Sequence, residues 1–116
     1  MDQLKIEEEQ KALCSRYNVA FVRTPPAEKI GFAASTEGFT PVNGLRHPQT
    51  AETSGWYIWC GESFSESVNF FEPLHAAHVY ERIPEARHLL GLPPGYRFLL
   101  AGEYLDVWYD EKLFKV

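Results

Sequence analysis

The sequence predicts an α+β fold: a mostly antiparallel sheet with an N-terminal helix and a central helical pair packed on one face, ending in a C-terminal β-hairpin. Three observations predict it. Apolar residues recur at helical spacing near the start, a strongly apolar run bounded by glycines lies mid-chain, and two alternating segments flank Gly102-Glu103 near the end. At 116 residues the chain fits a single domain over 1–116, a size that buries about two thirds of its unfolded surface. A hydrophobic content of 45% with 15% aromatic excludes a disordered chain.

Ile6, Gln10, Leu13, Cys14 and Tyr17 recur at i, i+4, i+7, i+8 and i+11, which predicts an amphipathic helix over 2–17. Asp2 is the expected N-cap, the early glutamates suit the helix dipole, and Asn18 suits the exit. Val19 to Val22 reads as a short strand stopped by Thr24-Pro25-Pro26, and Lys29 to Ala34 as a second. Residues 35 to 54, rich in Gly, Pro, Thr and Asn, read as a long ordered loop. Gly55-Trp56-Tyr57-Ile58-Trp59-Cys60-Gly61 reads as a central strand, with Trp56, Ile58 and Cys60 on one face and Tyr57 and Trp59 on the other.

Pro73 stands at a helix-opening position, predicting a helix to about Arg82. Pro84 opens a second over Glu85 to Leu90, closed by Gly91 as a C′ residue ahead of Pro93 and Pro94. Tyr96 to Ala101 and Tyr104 to Tyr109 form a hairpin about Gly102-Glu103, with glycine first in a type II′ turn. That register pairs Ala101 with Tyr104, Leu100 with Leu105, Phe98 with Val107 and Tyr96 with Tyr109. It puts Tyr96, Phe98, Leu100, Leu105, Val107 and Tyr109 on the core face and Arg97, Leu99, Ala101, Tyr104, Asp106 and Trp108 on the other.

The net charge is −5, and residues 61 to 83 hold Glu62, Glu66, Glu72 and Glu81 against Arg82 alone. An acidic surface repels phosphate and attracts basic partners, so nucleic acid is not an expected partner. The start lacks a signal peptide, no window is long and apolar enough to span a membrane, and two cysteines without metal or redox spacing read as buried thiols; together these predict a cytoplasmic protein.

No catalytic centre is legible. Cys60 lies in an apolar strand where a thiolate is disfavoured, and no nucleophile elbow, phosphate loop or dinucleotide fingerprint occurs. No cofactor and no metal is expected. His75 and His78 lie three apart, with Glu72, Glu81 or His88 as further metal ligands, but ordinary helix histidines, one half-buried and one exposed, are the simpler reading. Arg46 and His47 are a candidate ligand-binding pair for a carboxylate or phosphate, against the simpler reading that Arg46 pins its loop through a glutamate. The aromatic surplus at Tyr57, Trp59, Phe64, Phe70, Phe71 and Trp108 points to a surface for another protein, with a second layer of packing within the chain or a homodimer on the same face as the competing readings.

Ser54-Gly55-Trp56, Cys60-Gly61-Glu62, the helix after them, Leu92-Pro93-Pro94-Gly95 and Asp106-Val107-Trp108 together resemble immunity-protein family thirty-three of bacterial polymorphic toxin systems, formerly a domain of unknown function. The likeness covers about residues 28 to 116 and leaves the N-terminal helix, 1–18, outside. It implies a cytoplasmic, non-enzymatic protein that neutralises a cognate toxin by stoichiometric binding. The chain departs from its relatives at Ser63-Phe64-Ser65, where they carry a more acidic run. The expected partner-binding residues are Glu62, Phe64, Glu66, Phe70, Phe71, Glu72 and Trp108. The alternatives are a small-ligand or metal-binding domain, an enzyme included, using Arg46, His47, His75 and His78, and a homodimeric structural module using the Trp108 face.

Overall fold

The computed structural model describes residues 3–65, 67 and 69–115. Helix α1 (Gln3–Arg16) buries Ile6, Gln10, Leu13 and Cys14, the stripe the periodicity predicts. Its exit turns on Asn18 in the left-handed region at φ 56. Val19 N–H donates to the Cys14 carbonyl at 3.0 Å and Asn18 N–H to Ser15 at 3.1 Å, which satisfies the last open carbonyls of the helix. Asp2, the expected N-cap, lies outside the described residues.

Among the described residues six strands form one sheet in the order β4-β1-β3-β2-β5-β6: β1 (Lys29–Phe32), β2 (Val42–Arg46), β3 (Trp56–Cys60), β4 (Glu72–His75), β5 (Tyr96–Ala101) and β6 (Tyr104–Tyr109). β1 and β3 run parallel and the other neighbours antiparallel, so the sheet is mixed and mostly antiparallel. Helix α2 (Ala76–Arg82) and a 3-10 turn over Pro84–Leu89 join α1 on one face. The fold class, the central place of β3 and the hairpin register agree with the expectation. Gly102 has φ 62 and no positive φ falls on Glu103, as a type II′ turn requires.

Four expectations are corrected. Val19 to Val22 is extended but lies outside the sheet; Val22 N–H reaches Gly91 O at 2.9 Å, and Val19 and Phe21 pack on the helix-side core instead of pairing. The loop expected over 35–54 holds a 3-10 turn, Ala34–Thr36, and the central strand β2. Gly44, counted among the loop-favouring residues, is there for close packing, since a Cβ would stand 2.2 Å from the Phe98 ring. Pro73 does not open a helix. It sits in edge strand β4 opposite Gly31, where proline's missing N–H costs no ladder bond, and α2 begins three residues later. Gly91 likewise is not a left-handed cap: a Cβ there would meet Gln10 and Phe21 at 2.8 Å, so close approach of α1 explains it.

The helix-side core joins Ile6, Leu13 and Cys14 of α1 and Val79 and Tyr80 of α2 to Ile30, Phe32, Trp56, Ile58 and Phe98 of the sheet. Cys14 and Cys60 are free thiols, and burial pushes both thiol pKa values up. Among the described residues no helix is long and apolar enough to cross a membrane.

His88 faces Glu9, Ala12, Leu13 and Arg16 of α1, and burial lowers its pKa below the ordinary 6.5. The unfolded chain then binds the proton more readily, so stability is lost as pH falls through 6.5 towards the lowered value and levels off below it. His88→Gln is expected to flatten the dependence of the thermal midpoint on pH just below 6.5. An unchanged slope would count against this account.

Candidate functional site

The helices leave the second sheet face open, and strand register fixes what it displays. One row across the sheet runs Trp108, Arg97, Leu45, Tyr57, Gly31, Pro73, and a neighbouring row runs Asp106, Leu99, Asn43, Trp59. Side chains alternate along each strand, so these residues face away from Trp56, Ile58 and Phe98. A second apolar cluster forms there from Ala33, Leu45, Trp59 and Leu113, with Tyr57, Phe70 and Phe71 packed on it.

The segment after β3 folds back over this face and brings its rings into edge contact. Phe70 and Phe71 lie 4.8 Å apart between centroids, Trp59 and Phe64 5.0 Å, and Tyr57 and Phe71 5.1 Å. Edge-to-face pairs at such distances add about 0.5–1.5 kcal/mol each beyond area burial. Trp59 is buried, whereas Phe64 remains 50% exposed. Leu45, His47, Tyr57, Phe64, Ser65, Ser67 and Phe71 line a concavity of about 570 Å³. Glu62 lines an adjoining hollow with Phe39 and Phe70, and Glu72 another with Tyr57 and Phe71. Both carboxylates are exposed.

The expected partner-binding residues Glu62, Phe64, Phe70, Phe71 and Glu72 therefore lie in or beside one aromatic surface. Glu66 lies outside the described residues. Trp108 shares the open face but stands three strands from Tyr57, about 14 Å at ordinary strand spacing. It stacks on the Arg97 guanidinium at 5.6 Å, and Arg97 pairs with Asp110 at 3.0 Å. Leu45, Ala33 and Leu113 were not expected here; the alternation of Val42, Asn43, Gly44 and Leu45 is the signal that carries the first of them.

Arg46 and His47 do not form a site together: Arg46 ends β2 with its side chain on the helix side, and His47, the next residue, packs against Tyr57 on the other. His47 meets the Tyr57 ring edge-on at 5.6 Å, and its Nδ1 lies 2.9 Å from the Leu113 carbonyl. Arg46 is fully buried on the helix side, where it pins loops through carbonyls and not through a glutamate. Its Nε donates to Ser54 at 3.0 Å, Nη1 to Val22 at 2.8 Å and Leu92 at 2.7 Å, and Nη2 to Arg23 at 3.0 Å. Burial lowers its pKa to about 10, so it remains a cation at neutral pH. His75 and His78 stack with centroids 6.1 Å apart on the far edge of the sheet. Among the described residues no three His, Cys, Asp or Glu side chains converge as metal ligands.

The Imm33-like domain matches residues 9–110. The chain belongs to the Imm33-like family. The match begins within α1, so the N-terminal helix is largely inside the family region and not outside it. No curated protein matches the chain. No solved structure matches it either.

Two of the short motifs that carry the resemblance, Ser54-Gly55-Trp56 and Leu92-Pro93-Pro94-Gly95, converge on Arg46, whereas Glu62 and Trp108 of the other two lie on the open side of the sheet. Ser54 and Leu92 give it their carbonyls, and Gly95 N–H donates to its carbonyl at 2.8 Å. Trp56 lies beneath the guanidinium at 5.5 Å, and its indole N–H reaches Thr24 Oγ1 and the Leu90 carbonyl, both at 3.1 Å. These two motifs tie strands to loops.

Proposed function

We propose that the protein is an immunity protein that neutralises a cognate toxin by stoichiometric binding, and that the aromatic surface of Phe64, Phe70 and Phe71, with Glu62, Glu72 and Trp108, receives the toxin. Family membership supports an immunity role. The observation that carries the choice of surface is the ring cluster on the sheet face the helices leave open, with Phe64 half exposed at its centre. Large rings held by neighbouring rings lose little conformational freedom on binding, and aromatic anchors dominate binding energy at protein interfaces. The flanking carboxylates favour a basic toxin surface and speed its encounter.

Co-expression with the toxin domain encoded by the neighbouring gene tests this. The wild type is expected to restore growth, and growth no better than with toxin alone would overturn the reading. Phe64→Glu is expected to weaken the complex by about 2 kcal/mol or more, roughly 30-fold in Kd by titration calorimetry, while keeping the fold. Unchanged affinity would move the interface off this surface.

A further inference from the structure

The sheet has two edges, and they differ. β4 is four residues long and contains Pro73, and the residues beside it bond to the preceding loop, Ala76 N–H to Glu28 O at 2.8 Å and Ala77 N–H to Pro26 O at 3.0 Å. Short length and proline are the ordinary devices that stop a strand from pairing further. β6 has neither: it runs six residues without proline. In a two-residue hairpin the closing pair exchanges both hydrogen bonds, and bonded and non-bonded pairs then alternate. With Ala101 opposite Tyr104, the backbone groups of Tyr104, Asp106 and Trp108 point into β5, and those of Leu105, Val107 and Tyr109 point outward. Among the described residues none of those outward groups appears in a backbone bond beyond the sheet.

The side chains along this edge are also unusual for a free strand. Tyr104 is 62% exposed, Tyr109 55% and Trp108 36%, so rings flank the open backbone on both faces of the sheet. Residues 103 to 111 hold Glu103, Asp106, Asp110 and Glu111 and no cation. A second copy pairing antiparallel through the same strand would set Asp106 against its own symmetry mate or close to it, and like charges in opposed positions destabilise. A strand bearing Lys or Arg opposite Asp106 meets no such repulsion and extends the row that carries Asp106 and Leu99.

We infer that β6 is a docking edge that accepts one extended, basic strand of the toxin by β-strand addition. This inference rests on the immunity reading and specifies how the partner is held: backbone bonds to Leu105, Val107 and Tyr109 supply affinity, and Asp106 with the flanking rings selects sequence.

Residue-resolved amide exchange of the full-length protein, alone and saturated with the toxin domain encoded by the neighbouring gene, reads the pairing directly. The expected result is alternation: amides of Leu105, Val107 and Tyr109, open in the free protein, slow roughly a hundredfold or more in the complex, while those of Asp106 and Trp108, already bonded to β5, change little. Two variants accompany it, each checked for folding by its thermal midpoint. Val107→Pro removes an outward donor and Asp106→Lys reverses the selecting charge, and each is expected to weaken toxin binding at least tenfold. A wild type that binds toxin without the alternating protection, with both variants binding as tightly, overturns the strand addition and leaves the immunity reading standing. A wild type that does not bind toxin overturns both. Protection that appears on raising the protein concentration without toxin, with a dimer mass in solution, assigns the edge to a second copy and overturns the toxin-strand inference.

Discussion

Arg46→Met is expected to destabilise the protein by about 3–5 kcal/mol, a large part of the margin that holds a domain of this size folded. Two effects oppose each other. Burying a guanidinium without a carboxylate partner costs several kcal/mol, a cost visible in its pKa falling to about 10, and methionine removes it. Against that, four carbonyls from residues 22, 23, 54 and 92 lose a charged donor, at about 1–3 kcal/mol for each group left buried and unpaired. The second effect wins because one side chain serves four carbonyls on three separate stretches of chain. Lysine has three donors on one nitrogen and cannot span the same spread, so Arg46→Lys should fall between. Urea unfolding measures both, and a loss below about 1 kcal/mol for Arg46→Met would show that water replaces the guanidinium without penalty.

The second large effect is expected at Gly55, immediately before the Trp56 that Arg46 covers. Its φ is +90, and a Cβ would stand 2.0 Å from the His47 carbonyl oxygen. That oxygen belongs to backbone beside β2, and the same two residues are joined by His47 N–H donating to Gly55 O at 2.9 Å. Neither strand can retreat without breaking the pair. Gly55→Ala should therefore cost about 3 kcal/mol or more, left-handed strain and overpacking together. Gly38 supplies the control: its φ is +98, yet nothing lies within 4 Å of a Cβ there. Gly38→Ala isolates the strain and should cost only about 1–2 kcal/mol. Equal losses at the two sites by thermal or urea unfolding would mean that the carbonyl clash relaxes away.

Gly55 lies in a motif that carries the family likeness and Arg46 binds two of those motifs through Ser54 and Leu92, and neither residue is on the exposed aromatic surface. Substitutions in the Ser54-Gly55-Trp56 and Leu92-Pro93-Pro94-Gly95 stretches should therefore abolish protection from toxin by unfolding the protein. Phe64→Glu should weaken it with the fold intact. Thermal midpoints separate the two.

The sequence by itself determined whatever depends on near neighbours along the chain. The α1 stripe, the left-handed exit at Asn18, the register of the β5-β6 hairpin and the two-faced character of β3 follow from spacing of about 3.6 or 2 residues and from a two-residue turn. Only the tertiary structure decided what distant segments demand. Val42 to Arg46 is a central strand because Phe98 fills the space over Gly44, and Pro73 closes a sheet edge because β1 lies on its other side. Val19 to Val22 is β-prone yet unpaired because the core beneath α1 takes its apolar side chains. The candidate site divides in the same way. Its aromatic residues are legible as a surplus, but which of them stay open depends on which sheet face the helices cover, and Arg46 changes from a loop ligand to a buried tie because four carbonyls from distant segments converge on it.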